Sequence, residues 1–127
     1  MWLYSTADPR AGVRDAIELA RSEGVELPVL WIDVETYTDG SIPGSLVIEA
    51  ALDECWQLSV RSGIYSSRVM WSRIGNPMNL SGVPIWVADY NGQKDLSVTG
   101  FGGGEVFGHQ FTSTPIDQNV FDQAVVE

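Results

Sequence analysis

Apolar positions along this chain alternate between clustered runs and a helical period. Val13, Ala16, Ile17 and Ala20 recur at i, i+3, i+4 and i+7, the stripe of an amphipathic helix. Asp8-Pro9 opens that helix, with Asp as N-cap and Pro in the first turn, and Gly24 stops it. Ahead of it, MWLYS is a short aromatic and apolar run predicted as a strand. LPVLWIDVE (27–35) is the dense apolar stretch of a strand buried in a parallel sheet, and TYTDGSIPG is a turn-rich loop. From about Ser45 to Val60 the pattern predicts a helix with Leu46, Ala50 and Leu58 on its inner face. Gly63–Ser66 forms the next strand, and Ser67 caps a helix running through Trp71 to about Ile74. After the loop GNPMNLSG, VPIWVADY is a third sheet strand. NGQKDLSVTGFGGGEVFG is ambiguous, GHQFTST is the last strand, and PIDQNVF trails off the end. Strands alternating with helices predict an α/β fold with a mostly parallel sheet, in one domain over residues 1–127.

Composition narrows what such a domain can do. The chain has 127 residues, 44% of them hydrophobic, enough for one domain with a real core. Seven Lys and Arg against 17 Asp and Glu give a net charge of −10. No basic patch can neutralise phosphates, which excludes nucleic acid and anionic membrane surfaces as expected partners. The single Cys55 excludes a disulfide framework and a Cys-based zinc site, and reads as a small core hydrophobe. No apolar run approaches the ~18 residues of a membrane span, and MWLYSTADPR lacks a signal-peptide layout. No metal or cofactor motif is recognised; glycines 102–104 are too few for a phosphate loop and read as a turn.

The chemistry-bearing stretch is Leu30-Trp31-Ile32-Asp33-Val34-Glu35. Strand side chains alternate faces, so Asp33 and Glu35 project to one side, with Cα atoms roughly 6.6 Å apart. Packing does not require two acids at the C-terminal end of a buried parallel strand. Desolvation and like-charge repulsion there raise one pKa, leaving a proton donor beside an ionised carboxylate, as glycoside hydrolysis demands. The plainer alternative is a strand end that has reached solvent.

Four segments bear on that choice. LPVLWIDVE, GIYSSRVMW, PIWVADYNG and GHQFTSTPIDQNVF resemble, in order, the Asp-x-Glu strand, the next strand with its helix, the Trp-x-Ala-x-Tyr strand and the closing Gln-aromatic-Thr strand with its Asp-x-Asn of the family-25 glycoside hydrolase lysozymes. The resemblance runs from about Met1 to Phe121. It implies a (β/α)-barrel muramidase cleaving the β-1,4 bond between N-acetylmuramic acid and N-acetylglucosamine in peptidoglycan. It further implies Glu35 as general acid and Asp33 as the group that stabilises positive charge or orients the substrate acetamido group. Asp117, the acid of the terminal Asp-x-Asn, would complete the acidic cluster. Tyr65, Trp86 and Tyr90 match aromatic positions near the sugar cleft, though a strand aromatic can equally be core, and Asp117 can equally cap a turn. His109 stands where the family carries an aromatic, and a lone strand histidine is read as a packing or hydrogen-bonded residue.

The resemblance also implies an acid on a first strand that has no counterpart here, and a full barrel of ~200 residues or more. The expected fold is therefore a partial (β/α) TIM-type barrel lacking its first strands. Its open edges, MWLYS and GHQFT, predict pairing with a second copy as a homodimer. The missing acid keeps a rival reading in play: a catalytically impaired remnant that binds wall glycan or serves in assembly.

Overall fold

The computed structural model describes residues 1, 3, 8–74 and 78–127. Helix α1 (Pro9–Ser22) starts where Asp8 accepts a hydrogen bond from the Arg10 N–H, and Val13 and Ile17 are its buried stripe. Strand β1 is Leu30–Asp33, shorter than the apolar run that announces it. Helix α2 (Ser45–Gln57) buries Ile48, Ala51 and Cys55. The expected inner face is wrong here: Leu46 and Leu58 are exposed and Ala50 is half-buried. Leu46 precedes Ile48 by two residues, about 200° around the helix, so both cannot face the sheet. The helix ends at Gln57, because Ser59 takes a left-handed conformation that turns Val60 away.

Strand β2 (Ser62–Ser66) leads into helix α3 (Arg68–Ser72), whose Ser67 cap accepts from the Met70 N–H as predicted. Strands β3 (Pro84–Ala88), β4 (Glu105–Thr112) and β5 (Gln118–Phe121) complete the chain, before a 3₁₀ turn at Gln123–Val126. The sheet order is β1-β2-β3-β4-β5, parallel throughout except for the antiparallel β4–β5 pair. PIDQNVF thus does not trail off; its Gln118–Phe121 returns along β4 as an edge strand, too short and polar to show a strand period. The sheet is open, and a closed barrel is not formed among the described residues. Most of the predicted MWLYS strand lies outside the described residues. Met1 and Leu3 do make ladder hydrogen bonds to β1, through Trp31 O, Asp33 N and Asp33 O. The loop GNPMNLSG is described only from Met78 onward, and no described helix is long and apolar enough to cross a membrane.

One face of the sheet packs against the helices. Ile32, Val34, Ile64, Ile85 and Val87 are fully buried there against Ile48, Ala51, Cys55, Trp71 and Leu80. Arg10 and Arg14 of α1 pair with Asp53 and Glu54 of α2 at the surface, contacts that add little stability beyond holding the two helices in register. The opposite face carries a strip of rings. Trp86 lies 4.7 Å from Tyr65, 5.0 Å from Phe121 and 5.7 Å from Trp31, centroid to centroid, mostly edge-on. Two glycines make room for it: Gly63 lies under the Trp31 ring and Gly108 under Trp86 and Phe121.

The connection between β3 and β4 contains no helix. It is a loop over residues 89–104, stitched down by Asp89 N to Gln110 O (3.1 Å), Gly92 N to Phe111 O (2.9 Å) and Leu80 N to Gly102 O (2.8 Å). Phe101 is buried against Trp71, and the tight turn follows from positive φ at Gly102 and Gly103, the turn the glycine run predicts.

Gly63 offers a direct test of this packing. A Cβ there would run into the Trp31 ring and stand 2.9 Å from the Pro84 carbonyl, which cannot retreat without breaking the sheet. Gly63→Ala is expected to lower unfolding free energy by about 1–3 kcal/mol, read by urea denaturation with intrinsic Trp fluorescence.

Candidate active site

The site forms where the parallel strands end. Ile32 and Val34 are driven into the helix-side core, so Asp33 and Glu35 must point the other way. Glu35 lies just beyond β1, but its neighbour Val34 is fixed on both sides. The Val34 N–H donates to Tyr65 O (2.9 Å), and the buried Ser66 Oγ donates to Val34 O (2.8 Å). The acid-bearing end of β1 is thereby tied to β2 rather than left as a loose loop.

Asp33 and Glu35 stand on the same side of the chain, close enough that the charge of Glu35 acts on Asp33. Two ionised carboxylates so placed repel, which favours the protonated form of Asp33. Burial of Asp33 is the main cause, with the Glu35 hydrogen bond and charge next. Together they push the Asp33 carboxyl up to about 7, against a smaller opposing pull from the Met1 amino group. Its Oδ1 is buried without a hydrogen-bond partner, a further cost to the ionised form. The raised carboxyl is Asp33, whereas the resemblance implies Glu35 as the proton donor.

Glu35 is exposed and opens onto a cleft of about 360 Å³ lined also by Tyr65, Ser66, Arg68, Asp89 and Tyr90. The Tyr65 and Tyr90 hydroxyls both donate to Gln110 Oε1, at 2.7 and 3.0 Å. Burial, then the neighbouring Tyr90 and Glu35, raise the Tyr65 pKa, so it remains a phenol with a proton to donate. Arg68 closes the rim by an ion pair to Asp89 (3.0 Å).

Trp86 does not line this cleft; it backs Tyr65 in the ring strip and donates Nε1–H to Asn119 Oδ1 at 3.0 Å. Asp117 lies in the turn before β5, exposed, and makes no hydrogen bond or ion pair to Asp33 or Glu35 among the described residues. The structure therefore brings together Asp33, Glu35, Tyr65 and Tyr90 and places Trp86 behind them, while Asp117 precedes the β5 residue that pairs with Thr112 at the end of β4. Gln110 is the residue the sequence reading passed over. Its signal was available: it shares strand parity with Gly108, on the ring-bearing face, where a buried amide needs partners.

A family model described as Lysozyme-like protein 1 matches residues 3–118 of the chain. The chain belongs to this lysozyme-like family, of the glycoside hydrolase family 25 type. Among curated proteins of Dictyostelium discoideum, it is similar to Counting factor 50, 30% identical over 96 residues covering 72% of this chain and 31% of that protein. It is also similar to Probable GH family 25 lysozyme 3, 28% identical over 102 residues covering 76% of this chain and 21% of that protein. Counting factor 45-1 is 30% identical over 96 residues, covering 72% of this chain and 32% of that protein. The chain thus spans between a fifth and a third of the length of these relatives. No solved structure matches it.

The raised Asp33 fixes a pH signature of stability. A carboxyl with a raised folded pKa stabilises the fold below its unfolded value of 3.8, and that contribution is lost as pH rises to about 7. The wild-type chain is expected to melt lower at pH 8 than at pH 5. Asp33→Asn keeps the shape without the charge, so it should flatten that dependence and gain roughly 1–2 kcal/mol at pH 8, water in the cleft screening the remainder. Calorimetry of both proteins across this range provides the check; equal pH slopes would dissociate Asp33 from the effect.

Proposed function

We propose that this chain carries the acid pair and cleft wall of a glycoside hydrolase that cleaves the β-1,4 bond between N-acetylmuramic acid and N-acetylglucosamine in peptidoglycan. The observation that carries this reading is the raised Asp33 carboxyl beside Glu35, which opens onto a cleft walled by two tyrosines. Family membership supplies the substrate class.

Glu35, the exposed member of the pair, takes the proton held on Asp33 and gives it to the glycosidic oxygen as the bond to C1 breaks. Asp33 is left as a carboxylate beside the positive charge that develops on the sugar, where desolvation makes the attraction strong. The acetamido oxygen of the cleaved sugar attacks C1 as internal nucleophile, with Asp33 orienting the acetamido N–H. Water, deprotonated by Glu35, then opens the ring so formed and returns the proton to the pair. Tyr65 and Tyr90 present ring faces to the pyranose, and Asp117, beside the end of β4, would complete the acidic cluster. The open sheet is read as a portion of a (β/α) barrel whose interior face bears the ring strip. An open sheet edge invites pairing with a second copy as a homodimer; that edge is β5 rather than GHQFT, which β5 covers, and Phe121 is exposed on it.

A second reading, a wall-glycan-binding or assembly module without catalysis, is favoured by one observation: the raised carboxyl is Asp33, whereas the hydrolase reading needs Glu35 as proton donor.

Turbidity loss of purified bacterial walls separates the two. Glu35→Gln is expected to slow lysis by about 10²- to 10⁴-fold with the fold intact by circular dichroism. Wild-type lysis should be greatest at mildly acidic pH and fall as pH rises through about 7, where Asp33 loses its proton. Binding of walls without turbidity loss would establish the module instead. For the assembly, sedimentation at micromolar concentration is expected to give a dimer, and Phe121→Glu a monomer.

A further inference from the structure

His109 lies on the helix-side face of β4 and is completely buried. Both ring nitrogens face main-chain carbonyls of the helix-free β3–β4 connection: Nδ1 is 2.7 Å from Asp95 O and Nε2 is 2.8 Å from Asp89 O. A neutral imidazole has one N–H to donate, and an imidazolium has two. Two carbonyl acceptors at these distances are satisfied together only by the doubly protonated ring; in the neutral ring one lone pair faces another.

The charged groups around the ring are already engaged. The Asp89 carboxylate pairs with Arg68, and the Asp95 carboxylate accepts from the Ser97 N–H at 3.1 Å. Lys94 is exposed in the same loop, and the Tyr90 hydroxyl is committed to Gln110. The register partners of His109 on β3 and β5 are Val87 and Val120, and the Phe111 ring stands edge-on to it. The ring is therefore bonded to main-chain oxygens rather than to a counter-charge, and it holds both ends of the segment from Asp89 to Asp95. Tyr90, which walls the cleft beside Glu35, is the second residue of that segment.

We propose that His109 is a proton-operated clasp. Doubly protonated, it ties Asp89 and Asp95 to β4; on losing a proton it releases one carbonyl and loosens the segment carrying Tyr90, which the bonds of the Asp89 and Gly92 N–H groups to Gln110 O and Phe111 O then hold without it. This rests on the glycosidase reading for its consequence, regulation of the cleft by pH, but not for its geometry. His109 is a positioning residue, on the face of β4 opposite the cleft.

The chain has one histidine, so nitrogen-15 NMR of the ring is unambiguous. At mildly acidic pH both ring nitrogens should be of the protonated type while the loop amides are protected. One bare nitrogen with full loop protection would overturn the clasp, and this measurement needs no variant. In hydrogen exchange, corrected for intrinsic chemistry, amides of residues 90–97 should exchange at least about tenfold faster in His109→Phe, which keeps an aromatic ring without donors. Exchange there should quicken with pH in the wild type and not in the variant; indistinguishable profiles would sink the proposal. Wall lysis followed alongside keeps the two readings apart. A wild-type chain that never lyses walls defeats the glycosidase reading, while the ring and exchange data still decide the clasp.

Discussion

Everything at the candidate site depends on the burial of Ile32 and Val34. With both driven into the helix-side core, strand parity leaves Asp33 and Glu35 no other face to occupy. Val34 is then locked between Tyr65 O and Ser66 Oγ, so the acids stand at a fixed place on the sheet rim. Freeing the carboxyls from each other would require turning a fully buried valine out of the core. The core's gain from apolar burial thus holds two acids together, and the raised Asp33 carboxyl, by keeping its proton, relieves the repulsion.

The same parity arranges the rest of the open face. Trp31, Tyr65, Trp86 and Gln110 share it with Gly63 and Gly108, and the glycines exist there as space for rings. Gln110 is the organising polar group: one amide oxygen takes both tyrosine hydroxyls, so the cleft wall is assembled from β2, the end of β3 and β4 at one atom. Such a wall is rigid when all its bonds are made, and it loosens as a unit when one is lost.

The β3–β4 connection shows how a parallel crossover can do without a helix. Backbone bonds to Gln110, Phe111 and Leu80, the burial of Phe101 and the two bonds of His109 take the place of a packed helix face. Few apolar contacts hold the stretch from Asn91 to Lys94, which is exposed throughout. Local opening is therefore concentrated beside the cleft, where a binding wall benefits from it.

The sequence by itself determined the strand-helix alternation, the caps at Asp8 and Ser67, the parity of Asp33 and Glu35, and the glycine turn at 102–103, because each follows from local spacing or backbone preference. It also held the motifs on which the family resemblance rests. Which face of α2 turns inward was not legible, because Leu46 and Ile48 are equally apolar and only the sheet they meet chooses between them. Nor was β5, whose four residues gain strand structure only from pairing with β4. Which acid holds the raised pKa and that His109 spans two carbonyls were decided by tertiary structure alone. Desolvation and hydrogen-bond geometry depend on atoms brought from distant parts of the chain, and no spacing along the sequence encodes them.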